Sequence, residues 1–347
     1  MRSFAPELPT GGERILATPG EPAAPAMVRV TIAICTFRRP ALLERTLAGI
    51  ASQVFVNGRR PRLDVVVVDN EGDPRVPDLV EAFAAASRLP SRCVVEPRRG
   101  ISQARNAALD LIGEESDFVA FIDDDEVPSP CWLQALLETQ ARTGAAVVCG
   151  PVAPAFAGRP PRWIEEGGFF RQPRRPVGLR IEAEEGEAVE EASTNNALVR
   201  MTEVRRGRVR FDHGFGLSGG EDVLFFRALK AQGAAIAWSP NAAVSEHVPV
   251  ERARFAYLAR EYFRCGNVRA TIEAMEAAAA GHSRSRRLAS AAIGRKALKK
   301  TVSQGSLLLA ALVRGRGRAE MSGHLLELAN AAGRLARVAG YRYEHYR

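Results

Sequence analysis

Short apolar runs and helical spacings of apolar residues follow one another along residues 28 to 149. Runs rich in β-branched residues predict strands, and apolar residues three or four positions apart predict helices. The predicted strand and helix pairs are Val28–Cys35 with a helix from Pro40, Leu63–Val68 with Val76–Ser87, Cys93–Glu96 with Ile101–Ile112, and Phe118–Ile122 with Pro130–Thr143. This alternation predicts an α/β protein with a doubly wound, mostly parallel (mixed) sheet covered on both faces. Ligands of such sheets bind at the carboxyl ends of the strands.

The alternation ends after a further strand predicted at Ala145–Cys149. Residues 151–180 are rich in Pro, Gly and Arg, and an acidic run follows from Glu182 to Glu191. This composition predicts an irregular insertion over residues 151–192, a flap over the site. Regular elements are predicted again at Ala197–Met201, at Ala235–Trp238, at Ala242–Val244 and, as a helix, at Glu221–Gln232, and helices dominate from Val250 onward.

Length and composition indicate one main domain with an extension. The chain has 347 residues, 46% of them hydrophobic, enough for one large α/β core and additional helices. Residues 1–26 carry five prolines and lack a basic-then-apolar pattern, so we predict a flexible lead rather than a signal peptide. The predicted organisation is a lead at 1–26, a catalytic domain at 27–250 and a basic helical extension at 251–347.

The cysteines and the hydropathy of the chain indicate where in the cell the protein is located. The five cysteines contain no CxxC pair, which is typical of buried thiols in a reducing compartment. No apolar run approaches the roughly 18 to 20 residues that a membrane-spanning helix needs. We therefore expect a cytoplasmic protein.

Positive charge is concentrated at the C-terminus. The chain carries a formal net charge of +8, but residues 252–347 hold 19 Lys and Arg against 6 Glu. In Arg295 to Arg318 the basic residues are interleaved with Leu, Ala and Val, a pattern that suits anionic lipid headgroups. No nucleic-acid-binding motif accompanies the charge. We expect peripheral contact with an anionic membrane, at the inner face of the cytoplasmic membrane, and no nucleic acid.

The most informative polar cluster is Asp123-Asp124-Asp125-Glu126, which directly follows a predicted buried strand. Clustered carboxylates repel one another unless a cation neutralises them. A divalent metal that also binds a diphosphate would serve this purpose. The alternative is a solvated turn whose acids cap the next helix.

Two further polar positions lie near other predicted strand ends. Asp69 ends the Leu63–Val68 run, where an acid accepts hydrogen bonds from a base or ribose, or else begins an Asx turn. Arg105 lies one turn into the helix that follows Gly100. A helix N-terminus with a nearby Arg forms an anion site, although an Arg on a helix surface is usually solvated.

A third group begins with Gly219-Gly220-Glu221-Asp222, at the entry to a predicted helix. Acidic residues there lie at the positive end of the helix dipole. They either take part in a reaction or cap the N-terminus of the helix. His247, in Ser245-Glu246-His247-Val248-Pro249, is a candidate metal ligand or a structural histidine.

Five of these segments together, in this order, resemble the family 2 glycosyltransferases with the GT-A fold, over about residues 28 to 265. They are Val30 to Pro40, the Asp69 strand end, Gly100 to Asn106, Asp123 to Asp125, and Gly220-Glu221-Asp222. The resemblance implies that Thr36, Arg38 and Asp69 hold the nucleoside, although many members carry Asn at the position of Arg38.

The resemblance also implies that Asp123 and Asp125 form a DxD pair, with Asp123 toward the ribose or sugar and Asp125 on Mg²⁺ or Mn²⁺. We add Asp124 and Arg105 as donor-binding residues and Asp123 and His247 as further metal ligands. The resemblance also implies that Asp222 is the general base, with Glu221 beside it.

A narrower resemblance involves Asn195-Asn196, Glu246 to Arg252, and Arg260 to Asn267. These segments are similar to the exopolysaccharide subgroup that includes succinoglycan-type glucosyltransferases. The resemblance implies inverting transfer of a hexose from a nucleotide sugar, UDP-linked, to a saccharide or polyprenyl-linked acceptor. One alternative is a nucleotidyltransferase acting on sugar phosphates, which would need a Gly-rich basic loop that Thr36 to Pro40 lacks. The other is a non-catalytic basic protein that binds membranes or nucleic acid.

Overall fold

The structure is a computed structural model, which describes residues 27–56, 58, 60–170, 184–279 and 283–344. The predicted lead at residues 1–26 lies outside the described residues, as do residues 171–183 of the predicted flap. The strands are β1 Arg29–Thr36, β2 Arg62–Asp69, β3 Ser91–Val95, β4 Phe118–Ile122, β5 Glu126–Pro128, β6 Val147–Cys149, β7 Val152–Phe156, β8 Asn196–Arg200, β9 Ile236–Trp238 and β10 Val244–Val248. The helices are α1 Pro40–Ala51, α2 Arg75–Ser87, α3 Ile101–Leu111, α4 Trp132–Thr143, α5 Arg162–Gly167, α6 Met201–Arg206, α7 Glu221–Ala231, α8 Phe255–Ala279, α9 Ser283–Val313 and α10 Arg318–Val338.

Seven strands form the central sheet in the order β3-β2-β1-β4-β8-β6-β9. Strand β8 runs antiparallel to β4 and β6, and every other neighbouring pair is parallel. The predicted mostly parallel, mixed sheet is therefore confirmed. Because β1 pairs in parallel with both β2 and β4, the carboxyl ends of these three strands lie at one edge.

Both faces of this sheet are buried. Consecutive residues of a strand point to opposite faces, so Val65 and Val67 join one apolar cluster while Val66 and Val68 join the other. All four valines are fully buried. The continuous apolar run therefore reflects helices on both sides of the sheet, as predicted.

A second sheet has three strands in the order β5-β10-β7. Strand β10 pairs antiparallel with β5 and parallel with β7. The prediction of irregular structure was wrong for residues 152–156 and 162–167, which form β7 and α5. Strand β7 is stabilised by β10, which lies about 90 residues later in the chain, so no local pattern reveals it. Its Pro154 is tolerated because β7 is an edge strand.

The C-terminal region is helical, as predicted. Helix α10 packs against both α8 and α9. Helices α8 and α10 approach closely because Gly266 and Gly333 face the partner backbone: an added Cβ would lie 2.0 Å from the carbonyl oxygen of Asn330 and of Phe263, respectively. Among the helices in the described part of the chain, none has the length and apolar character to cross a membrane.

Candidate active site

A cavity of about 530 Å³ opens at the carboxyl ends of β1 and β4. Its lining includes many of the predicted polar residues: Thr36, Arg38, Arg105, Asp123, Asp124 and Asp125. The Thr36 hydroxyl donates a hydrogen bond of 2.7 Å to Asp124. Parallel pairing of β1 with β4 thus joins two segments that lie 88 residues apart in the chain.

The acidic cluster is buried and is neutralised by an arginine. Asp124 and Asp125 are 5% and 8% exposed, and burial raises their pKa values to about 6 and about 7. The Arg39 guanidinium opposes this shift, because its Nη1 lies 3.3 Å from Asp124 Oδ1 and 2.8 Å from Asp125 Oδ2. Burial also raises the pKa of Glu126, whose carboxylate accepts a hydrogen bond from the Asp123 backbone N–H. The cluster therefore needs positive charge, and in this structure arginine supplies it.

The opposite wall of the cavity comes from β10 and α8. Antiparallel pairing places Glu246 opposite Glu126. Arg252 Nη1 lies 3.4 Å from both Asp125 and Glu246, so it bridges the two acidic segments. Further lining residues from α8 are Tyr257, Glu261 and Arg264. The acidic centre thus carries a second guanidinium from a segment 127 residues away.

Arg105 is buried beneath the cavity with two carboxylates. Its side chain is 8% exposed and forms ion pairs with Glu221 and, at 3.3 Å, with Asp123. Glu221 is equally buried, and its Oε2 has no hydrogen-bond partner among the described residues. Burial raises the pKa of Glu221 to about 7, against the lowering effect of Arg105. The predicted anion-binding arginine is thus held by acids of this chain and joins the Asp123 turn to the start of α7.

The predicted base, Asp222, lies in the first turn of α7. One carboxylate oxygen accepts a 2.9 Å hydrogen bond from the Ser193 hydroxyl, and the other accepts one from the Val223 N–H. Gly220 precedes the helix with φ of +94°, a conformation that glycine adopts without strain. Asp222 is half-buried. It does not line the cavity, and its carboxylate contacts Ser193.

Asp69 and Asn70 shape the loops beside the cavity. The Asp69 carboxylate accepts hydrogen bonds from the backbone N–H groups of Glu71 and Asp73, so it forms the Asx turn that was the alternative interpretation. Asn70 donates to two carbonyls of the loop after β3 and accepts a 2.8 Å bond from the Gly100 N–H. The side chain that contacts the cavity at this strand end is therefore Asn70.

Arg38 and His247 lie at the edges of the site. Arg38 has φ of +59°, a region where Asn is enriched among non-glycine residues, and its side chain pairs with Glu71 at 2.7 Å. His247 donates its backbone N–H to the Asp125 carbonyl at 2.7 Å, and its Nδ1 lies 3.4 Å from Arg45. The imidazole is outside the cavity lining.

Several cavity residues were not named as functional in the sequence analysis. They are Arg39, Asn70, Glu246, Arg252, Tyr257, Glu261 and Arg264. Arg39 and Asn70 directly follow residues that were named. Glu246 and Arg252 belong to one segment quoted for the subgroup resemblance, and Glu261 and Arg264 belong to the other, Arg260 to Asn267. A signal was therefore present for six of them, but only tertiary contacts bring them to the cavity.

The donor set suits a hard cation only in part. Among the described residues, no group of three or more His, Cys, Asp and Glu side chains is arranged to hold a metal ion. Asp123 and Asp125 nevertheless line one cavity. Magnesium characteristically takes one or two carboxylates and completes its shell with water and substrate phosphates. Two carboxylates at an open cavity fit that mode of binding.

Comparisons with known proteins identify the family of this chain. Residues 31–202 match the model of "Glycosyl transferase family 2". The chain is 39% identical to the succinoglycan biosynthesis protein ExoM of Rhizobium meliloti (strain 1021) over 250 residues, which is 72% of this chain and 77% of ExoM. It is 30% identical to ExoW of the same organism over 120 residues, 34% of this chain and 36% of ExoW.

The fold has a solved counterpart in the mannosyltransferase PcManGT from Pyrobaculum calidifontis, determined in complex with GDP-Man and Mn²⁺. The TM-score is 0.56 at 19% identity, with 88% of this chain and 87% of PcManGT covered. At this identity the likeness concerns the fold alone, and it confirms the GT-A architecture. Given the ExoM similarity over most of both chains, the protein belongs to glycosyl transferase family 2 and is a glycosyltransferase.

Proposed function

We propose that the protein is an inverting enzyme of exopolysaccharide synthesis that moves a hexose from a UDP-sugar to a saccharide or polyprenyl-linked acceptor. The similarity to two succinoglycan biosynthesis proteins supports the pathway. The main support for a nucleotide-sugar donor is the cavity at the ends of β1 and β4, where three aspartates face guanidinium groups. Family membership leaves the nucleotidyltransferase and the non-catalytic binding protein without support.

The nucleoside is proposed to lie against the ends of β1 and β2, near Thr36, Arg38 and the Asp69-Asn70 turn. The diphosphate then lies toward Arg39 and Arg252, whose charges already face the acidic cluster. Guanidinium groups bind phosphate through paired N–H donors. The GDP-Man bound to PcManGT supports a nucleotide-diphosphate sugar as the donor class.

We propose Asp125 and Asp123 as ligands of Mg²⁺ or Mn²⁺, with His247 as a further candidate. The Mn²⁺ in PcManGT supports a divalent ion, and the burial and mutual repulsion of Asp124 and Asp125 favour one. When bound, the ion would offset charge that grows on the departing diphosphate. The Arg39 guanidinium, which pairs with both Asp124 and Asp125 in this structure, would then share the neutralisation of the acidic cluster with the ion.

Asp222 is proposed as the general base that takes the proton from the acceptor hydroxyl. The hydroxyl of Ser193 and the N–H of Val223 donate hydrogen bonds to its carboxylate and fix its orientation in the first turn of α7. Attack from the face opposite the diphosphate inverts the anomeric centre. An α-linked donor would then give a β-linked product.

A cytoplasmic location at the inner membrane face is part of the proposal. All five cysteines are unpaired, which suits a reducing compartment. Residues 252–347 carry 13 more basic than acidic residues, which favours contact with anionic lipid, beside a polyprenyl-linked acceptor. Nucleic acid is not an expected partner.

Metal-dependent UDP binding tests the donor site. We expect Asp125→Ala to abolish transfer and to lower the Mn²⁺-dependent part of UDP affinity by at least about tenfold, because a ligand of a weakly held ion is lost. Titration calorimetry with and without Mn²⁺ measures this. Asp110→Ala is the matched control, because Asp110 is 60% exposed and pairs only with Arg210 among the described residues. Unchanged Mn²⁺-dependent UDP affinity in Asp125→Ala would contradict the assignment.

A further inference from the structure

We propose that the outward face of α9 is a docking surface for an anionic lipid bilayer. Helix α9 has 31 residues, so it is about 46 Å long. It contacts α8 and α10, and its inward residues Ile293, Ala297 and Ala311 are at most 4% exposed. Packing on the protein therefore accounts for one face of the helix only.

The opposite face carries a row of exposed aliphatic side chains. Val302 lies nine residues, or two and a half turns, from both Ile293 and Ala311, so it points away from the protein. The side chains that share its face, here named the α9 apolar row, are 57–81% exposed. They are Leu288, Leu298, Val302, Leu309, Leu312 and Val313. Single exposed leucines are common on protein surfaces, but a row of this length indicates a binding surface.

The charges along α9 identify the partner. Residues 283–313 contain seven Lys and Arg and no Asp or Glu. Arg295 lies seven residues before Val302, hence on the same face, and Lys299 flanks it; both are exposed. Arg314 and Arg316, beyond the end of the helix, are also exposed. Aliphatic side chains between basic ones match the boundary between anionic headgroups and acyl chains.

Two other partners fit this face less well. A symmetric dimer would place the face against its own copy, bringing together two strongly basic helices without compensating acids. A nucleic acid would pair with the basic residues but would leave the α9 apolar row facing phosphate and water. A bilayer satisfies both the charged and the apolar side chains.

This inference rests on the proposed membrane contact and names the surface that makes it. A bilayer along α9 would hold the enzyme near a polyprenyl-linked acceptor. Binding to vesicles requires neither donor nor metal, so it is measured without sugar transfer. If the α9 proposal is wrong, the Mn²⁺-dependent UDP affinity is unaffected. If the donor-site proposal is wrong, vesicle binding is unaffected.

The test is sedimentation of the full chain with vesicles of phosphatidylcholine alone or mixed equally with phosphatidylglycerol. We expect binding to the mixed vesicles that weakens as salt rises. The triple variant Leu298→Gln, Val302→Gln, Leu309→Gln should bind at least about tenfold more weakly. Glutamine is a good helix former, so the fold should persist, as circular dichroism will show. The control is Val56→Gln, because Val56 is 71% exposed and lies far from α9 in the sequence.

Three results would overturn the proposal. The first is equal binding of the wild type to neutral and mixed vesicles at low salt. The second is unchanged binding of the triple variant. The third is a wild type that does not bind vesicles but forms dimers in analytical ultracentrifugation, whereas the triple variant does not form them. That result would make this face an interface between copies of the chain.

Discussion

Replacing Arg105 by methionine tests whether the buried ion pair beneath the cavity holds the site together. Methionine keeps most of the length and apolar stem of arginine but removes the guanidinium that contacts Glu221 and Asp123. Glu221 would then be a carboxylate that is only 4% exposed and has lost its cationic partner. Its Oε2 already has no hydrogen-bond partner among the described residues.

The expected loss follows from that burial. At a pH where Glu221 is ionised, removing the other member of this buried ion pair costs about 3–5 kcal/mol of unfolding free energy, because a charge remains uncompensated. Burial raises the pKa of Glu221 to about 7 even beside Arg105, and without Arg105 it should lie higher. The folded variant would thus bind a proton that the unfolded chain releases, so its stability falls as pH rises. The gap from wild type should widen above about pH 7.

Urea unfolding at several pH values measures these free energies, with the buried Trp132, Trp163 and Trp238 as fluorescent reporters. The double variant Arg105→Met, Glu221→Gln should recover part of the loss, with a coupling energy of at least about 1 kcal/mol. A loss below about 1 kcal/mol in the single variant would refute the reasoning. A gap that does not change with pH would also refute it.

Two further predictions concern the base and the scaffold. Asp222→Asn should keep the Mn²⁺-dependent UDP affinity while turnover falls by about two to four orders of magnitude; near wild-type turnover would show that the base lies elsewhere, with Glu221 the first candidate. Asn196→Ala should lower the unfolding free energy by about 3 kcal/mol, because Asn196 accepts from the Trp132 indole and donates to two carbonyls. Asn195→Ala is its control in the same urea titration, and an equal loss in both variants would contradict the role assigned to Asn196.

Local signals were sufficient for the N-terminal half of the fold. Apart from β5, the strands and helices up to residue 149 lie within a few residues of their predicted bounds, because each buries an apolar pattern of its own period. The prediction failed at β5 and β7, which are short and polar or proline-containing. These strands form only because β10 supplies hydrogen-bond partners from far along the chain.

The sequence also indicated which polar residues converge, but not how they are paired. Strand ends of a parallel sheet meet at one edge, so Thr36 and the Asp123 to Asp125 turn could be placed together in advance. The ion pairs of Asp125 with Arg39 and Arg252, and of Glu221 with Arg105, could not be predicted from the sequence. Ion pairing depends on distances between side chains that are up to 127 residues apart.

The sequence alone therefore determined the α/β class, the edge of the sheet where the candidate site lies, and the acidic and glycine-containing segments at that edge. Each of these follows from apolar periodicity and strand polarity, which are local properties of the chain. The tertiary structure alone decided that Asp69 forms a turn while Asn70 faces the cavity. It also decided that Arg105 is buried against two carboxylates and that one face of α9 is left exposed. These outcomes depend on which surfaces cover one another, because burial sets both the cost of an unpaired charge and the exposure of an apolar side chain.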